Sequence, residues 1–311
     1  MHGRRRPRLQ AARRIRATKK RRIIMFKKAE RQQSKLRLCI SGPTGSGKTM
    51  GALYLASSIK GDGKIAYIDT ENGSASLYSD RFEFDVLNME PPYHPDKFVE
   101  AIKAAESAGY SVVVIDSATH EWDGAGGCLE LNEKTARAKF KGNTWSAWSD
   151  TTIVHQRFID AIVQSKCHVI ACARSKMETA QEGKRIIRLG TKLVQREGFE
   201  YEFTLALDIT HGDHFAVAMK DRTGLFIEPE VITEETGKKL ISWLNDGKSI
   251  EEIIKSHIAD IASAPTITDL QERFKTSLKI AKQSGDQSFI DRIVSAKDTA
   301  KLLLEPEVRS A

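Results

Sequence analysis

The residues best equipped for chemistry are eight consecutive ones, Gly42 to Thr49 (GPTGSGKT). They satisfy the pattern GxxxxGK[ST], in which Gly42, Gly45 and Gly47 let the backbone curl until successive amides point at phosphate oxygens. Pro43, Thr44 and Ser46 complete the loop. Lys48 would neutralise β- and γ-phosphate oxygens, Thr49 would offer its hydroxyl to Mg²⁺, and Met50 follows on the first turn of the helix that the loop opens. ATP with magnesium is the ligand this spacing predicts. Further along, Val112 to Ile115 run into Asp116, an apolar strand ending in the carboxylate that such sites set against the magnesium shell. Asp69 also ends an apolar strand, so spacing alone leaves it as a rival. Glu71, two residues later in YIDTEN, is placed to aim or activate an attacking water.

These residues need a sheet to hold them in one plane. Short apolar runs rich in branched residues read as strands at Leu36–Ser41, Lys64–Asp69, Phe82–Leu87, Ser111–Asp116 and Cys167–Ala173. Being apolar on both sides, they suit strands covered on both faces, as in a parallel sheet. Helical segments at about 48–60, 95–109 and 145–166 alternate with them. After Ala173 the runs IIRL, EFTLALDI and HFAVAM follow without helices, which predicts an antiparallel extension of the sheet. From Thr233 the chain turns helical, with Ile250, Ile253, Ile254, Ile258 and Ile261 on one stripe and Leu270, Phe274, Leu278 and Ala281 on another. The expected organisation is a basic arm over 1–24, an α/β P-loop core over 25–232 and a helical C-terminal region over 233–311.

Composition sets limits. The chain has 311 residues and a net charge of +8, but the first 24 carry nine Arg and two Lys with no acid, which leaves −3 for the remainder. A nucleic-acid argument from overall charge therefore applies to the arm alone. The arm reads first as a translated leader, next as a DNA-binding arm, and last as a targeting peptide, against which its lack of Ser argues. No stretch approaches the roughly 20 apolar residues of a membrane span, so no membrane partner is expected and a cytoplasmic setting is. The four cysteines form no CxxC pair, and the eight histidines form no metal-ligand spacing. A GTPase is disfavoured because no [NT]KxD guanine reader is present, and a small-molecule kinase because no lid motif is.

Taken in order, GPTGSGKT, YIDTENG, IDSATHEW, CHVIACARSK and REGFEYEF followed by KDRTG resemble the phage Sak-type, RecA-like recombination ATPases over roughly 25–226. The resemblance implies a RecA-like core in which Glu71 activates water and Asp116 serves magnesium. It implies that Lys220 and Arg222 reach across a subunit boundary to a neighbour's γ-phosphate, so the protein would be a homo-oligomer with a shared ATP site. It implies that Tyr78 stacks on adenine. Single-stranded DNA would be the partner, together with a single-strand-binding protein, in the bacterial host cell of a phage. Two basic segments fall where the family has its DNA loops. One is the Gly-rich 124–142 stretch with Lys139 and Lys141; the other carries Lys176, Lys184, Arg185, Arg188, Lys192 and Arg196. One departure stands out. Where RecA proper has a glutamine that senses the γ-phosphate, this chain reads Ala173, Arg174, Ser175. The alternative function is an ATP switch that loads a helicase or another replication partner.

Overall fold

The computed structural model describes residues 29–182 and 185–305. The basic arm lies outside the described residues. Contacts divide the chain into Met1–Glu30 and Arg31–Ala311, and every element below belongs to the second unit.

In chain order the elements are β1 (Arg37–Gly42), α1 (Lys48–Ile59), β2 (Ile65–Asp69), β3 (Asp85–Asn88), α2 (Pro95–Ser107), β4 (Val112–Asp116), α3 (Thr119–Asp123), α4 (Cys128–Lys139) and α5 (Thr144–Gln164). They continue with β5 (His168–Glu182), β6 (Arg185–Leu193), β7 (Leu205–Ile209), β8 (Phe215–Asp221), β9 (Glu230–Val231), α6 (Glu234–Asn245), α7 (Ile250–Ala262), α8 (Ile267–Ser284) and α9 (Gln287–Leu304). Among the described residues the sheet runs β3-β2-β4-β5-β1-β7-β8-β9, with β6 paired to β5 off this path. The fold is thus α/β, with a mostly parallel nine-stranded sheet and a helical C-terminal region.

The residue types explain the layering. β1 and β4 are buried along their whole length, as continuous apolar runs require when helices cover both faces. On one face Leu53, Leu55 and Ile59 of α1 and Leu240 and Leu244 of α6 pack on Leu38, Ile40, Val112 and Val114. On the other, Phe98 and Ile102 of α2 and Phe158 and Ile162 of α5 pack on Val113, Ile115 and Val169. α7, α8 and α9 share a core of their own, formed by Ile254, Ile261, Leu270, Ala281 and Ile293.

The structure differs from the sequence expectations in three places. β7 joins β1 in parallel rather than antiparallel; its LALDI run is mostly buried, as a central strand demands, and only β8 and β9 run the other way. IIRL leaves the main sheet and pairs with the second half of β5 as a two-stranded ribbon. The Gly-rich 124–142 stretch is a tight turn followed by helix α4 rather than an open loop.

Candidate active site

The ends of β1, β2 and β4 meet at one edge of the sheet, where β5 runs on into the ribbon. The parallel register aligns Gly42 of β1 with Arg174 of β5, Cys172 of β5 with Asp116 of β4, and Asp116 with Asp69 of β2. In an open α/β sheet, this carboxyl edge is where loops converge on a ligand.

The loop after β1 is built around backbone shape. A Cβ on Gly42 would lie 2.4 Å from Ser46 Oγ and 2.7 Å from the carbonyl oxygen of Ile209, so only glycine fits. Gly47, at φ 95°, begins α1 in the left-handed region and supplies no side-chain cap, which leaves the first helix amides open toward the loop. Lys48 is buried, and its Nζ donates to the carbonyl oxygens of Gly42 and Pro43 at 2.9 Å each. Ser46 Oγ is buried with no hydrogen-bond partner. An open helix amino end, an ammonium folded over the loop and an unpartnered buried hydroxyl together fit the phosphates of a nucleotide.

Asp116 and Asp69 separate cleanly. Thr49 Oγ1 donates to Asp116 Oδ2 at 2.7 Å, and Tyr67 OH donates to the same oxygen at 2.7 Å. Burial pushes the Asp116 carboxyl above its ordinary range, with the Thr49 and Tyr67 hydrogen bonds pulling the other way. Burial, with the charge of Asp116 second, raises the Tyr67 phenol. Asp69 instead holds its own turn: Oδ1 accepts from the Glu71 amide at 2.6 Å and Oδ2 from the Ala75 amide at 3.0 Å. The paired hydroxyl and carboxylate oxygens of Thr49 and Asp116 are the hard donors magnesium takes, beside a helix amino end that takes phosphate.

Glu71 follows directly, and both its oxygens are engaged. Arg174 Nε donates to Oε1 at 3.1 Å and Nη2 to Oε2 at 2.6 Å. The guanidinium is thereby held above its usual range by hydrogen bonding to Glu71. Arg174 in turn is anchored by its amide, which donates to Thr119 Oγ1 at 2.8 Å. His120 stacks on Tyr93 and meets Thr70 Oγ1 at 2.7 Å through Nδ1; burial lowers its imidazole, partly opposed by Glu71. Sequence reasoning noted Arg174 as a departure and as the first of a basic run, and did not pair it with Glu71. Its contact with Glu71 depends on strand order, since β4 is all that separates β5 from β2.

An apolar cavity of about 250 Å³ opens beside the loop, lined by Gly47, Met50, Tyr54, Ile209, His214 and Ile232. Its size and lining suit a flat aromatic base. His214 Nδ1 sits 2.9 Å from the Ser46 carbonyl oxygen. Sequence reasoning missed both Tyr54 and His214; the turn HGDH just past an apolar strand was the available signal. Tyr78 does not line this cavity, and packs half-buried against the core at the end of a 3-10 turn, Ser74–Tyr78.

The remaining sequence-predicted residues lie elsewhere. Leu205 pairs with Asp221 and also with Leu38 near the start of β1, so Lys220 and Arg222 sit at the opposite end of the sheet from their own P-loop. Lys220 Nζ donates to the Tyr201 carbonyl oxygen, and Arg222 is exposed. Lys139 pairs with Asp150 at 2.7 Å, and Lys141 is exposed in the turn after α4. Lys176 and Lys192 are exposed on the β5–β6 ribbon, with Lys192 3.4 Å from Glu178. Arg196 lies over the Trp148 ring at 5.9 Å. Lys184 lies outside the described residues, as do the side chains of Arg185 and Arg188.

A glycine-rich loop between a parallel strand and a helix, with a hydroxyl after its lysine meeting a strand-end aspartate, defines a P-loop nucleotide-binding domain. The chain belongs to the AAA domain family (AAA_24), which matches residues 34–237. Similar solved structures include a RadB recombinase, at 18% identity and TM-score 0.35 over 63% of this chain and 86% of that one. A KaiC-like protein from the hyperthermophilic archaeon Pyrococcus horikoshii OT3 is similar at 13% identity and TM-score 0.30, over 60% of this chain and 79% of its own. No curated protein matches the chain.

Proposed function

We propose that this chain is a magnesium-dependent, RecA-like ATPase that acts on single-stranded DNA in phage-type recombination, by annealing or strand exchange. The observation that carries the ATPase reading is the 2.7 Å contact between Thr49 and Asp116 at the open amino end of α1. Lys48 and the loop amides bind the triphosphate, Thr49 and Asp116 hold the metal, and Glu71 orients the water and takes its proton. Magnesium, when bound, neutralises charge on the transferred phosphate. Lys220 and Arg222, remote from their own loop, serve a neighbouring subunit's site, so the working form is a homo-oligomer.

The DNA reading rests on the β5–β6 ribbon. Its root is Arg174, which touches Glu71, and its strands carry Lys176, Arg185, Arg188 and Lys192 on a body whose net charge is otherwise negative. Single strands bound there are held through their phosphates, so binding falls with salt. Fluorescence anisotropy with labelled single strands at several salt concentrations tests this. The triple variant Lys184→Glu, Arg185→Glu, Arg188→Glu should weaken binding and flatten the plot of log affinity against log salt by about 2, at about 0.7 for each lost phosphate contact. An unchanged affinity and slope would remove the ribbon from the account.

A further inference from the structure

Three buried side chains with no part in the nucleotide reading converge on one point. Glu121 lies on α3, Cys128 is the first residue of α4, and His155 is on α5. Cys128 Sγ is 3.1 Å from Glu121 Oε1, His155 Nδ1 is 3.0 Å from the same oxygen, and Sγ and Nδ1 are 3.8 Å apart. Glu121 and Cys128 are 0% exposed and His155 3%. The sequence showed no metal constellation because these ligands come from three separate helices. The fold is what brings the three together.

We propose that Glu121, Cys128 and His155 bind a zinc ion that fastens the helices behind Asp116. Zinc bonds of about 2.0–2.3 Å at tetrahedral angles place donor atoms about 3.3–3.6 Å apart. The observed triangle is one face of such a tetrahedron to within a few tenths of an ångström. A thiolate, an imidazole and one carboxylate form a donor set for zinc and not for magnesium, which takes oxygens. Charge also balances: a carboxylate and a thiolate neutralise the dication and the imidazole stays neutral, so no net charge is buried. The fourth position is left to a small ligand such as water.

The surroundings are built to hold this set. Gln195 Nε2 donates to Glu121 Oε2 at 3.1 Å and to the Ala118 carbonyl oxygen at 3.0 Å, fixing the carboxylate from behind. The Trp122 ring meets the His155 ring edge-on at 5.4 Å. A Cβ on Gly127 would lie 2.7 Å from the Glu121 carbonyl oxygen, so the turn that brings Cys128 back to Glu121 closes only with glycine there. The site would tie α3, which follows Asp116, to α4, α5 and Gln195 at the foot of the β5–β6 ribbon.

The test uses the full chain, without nucleotide, dialysed against metal-free buffer and analysed for elements. The proposal predicts about one zinc per chain. Replacement by Co²⁺ should give the near-ultraviolet thiolate-to-cobalt absorption, lost in Cys128→Ser and weakened in His155→Gln. Less than a tenth of an equivalent of zinc, with no such absorption on adding Co²⁺, would overturn the site and leave a hydrogen-bonded triad. Absorption that survives Cys128→Ser but disappears in Cys172→Ser would overturn it too, because the metal would then belong to the other thiol. Wild-type metal content decides even where a variant fails to fold, and neither readout depends on ATP hydrolysis.

Discussion

Replacing Arg174 by alanine isolates the contact between Glu71, the carboxylate proposed to aim the water, and the root of the β5–β6 ribbon. Two charge-assisted hydrogen bonds join Arg174 to Glu71, one to each carboxylate oxygen, and hold the carboxylate toward β5. Hydrogen bonds to charged groups contribute about 1.5–3 kcal/mol when buried. Here the side chains are 40% and 26% exposed, so the pair is discounted to about 1–2 kcal/mol. If Glu71 must leave Arg174 before it can act, that energy is part of the barrier in the DNA-free protein. Arg174→Ala should then raise basal ATP turnover about 5–30-fold and shrink the stimulation by single-stranded DNA by a similar factor. Arg174→Lys, which keeps the charge but not the fork, should fall between. Steady-state phosphate release with and without DNA measures both numbers. A basal rate that drops tenfold in Arg174→Ala would refute the reasoning, because the guanidinium would then be assisting the reaction rather than holding Glu71 back.

Two other perturbations test different parts of the account. Arg222→Ala and Lys48→Ala should each be inactive alone, yet a one-to-one mixture should recover about a quarter of wild-type turnover, since random assembly pairs an intact loop with an intact neighbouring arginine at about that frequency; no recovery would show that Arg222 does not work across a boundary. His168 tests the frame: its Nδ1 accepts the Leu36 amide at 3.1 Å, and burial, aided by Lys35 and Arg37, lowers its pKa from 6.5 to about 3. Because the folded value lies below the unfolded one, this contribution to stability is complete above pH 6.5 and is lost as pH falls toward 3, at up to about 1.4 kcal/mol per pH unit. Urea unfolding at pH 7, 6 and 5 should show a shallower loss in His168→Asn, whose amide oxygen can still accept from Leu36; parallel losses would contradict it.

The P-loop, its strand and its helix were legible because each depends on local spacing: glycines where the chain must curl, an apolar run before them, a lysine and hydroxyl after. Choosing Asp116 over Asp69 from sequence needed a family resemblance; in the structure the two differ in their partners, Thr49 and Tyr67 hydroxyls for Asp116 and backbone amides for Asp69. What was illegible depends on which strands become neighbours. The Arg174–Glu71 contact requires β5 to be inserted beside β4. The remoteness of Lys220 and Arg222 requires the antiparallel β7–β8 register, and β7 looked antiparallel because no helix precedes it. The Gly-rich 124–142 stretch falls where the resembled family has a DNA loop, yet its glycines before α4 serve close packing: Gly126 and Gly127 both face backbone or proline atoms nearer than 3 Å to where a Cβ would stand.

The most direct test is ATP turnover by the purified chain with magnesium, with and without long single-stranded DNA, beside Lys48→Ala and Asp116→Asn. The account predicts hydrolysis that needs magnesium, rises with DNA and is lost in both variants. Wild-type protein that hydrolyses no ATP under these conditions, or variants that hydrolyse it at the wild-type rate, would contradict it.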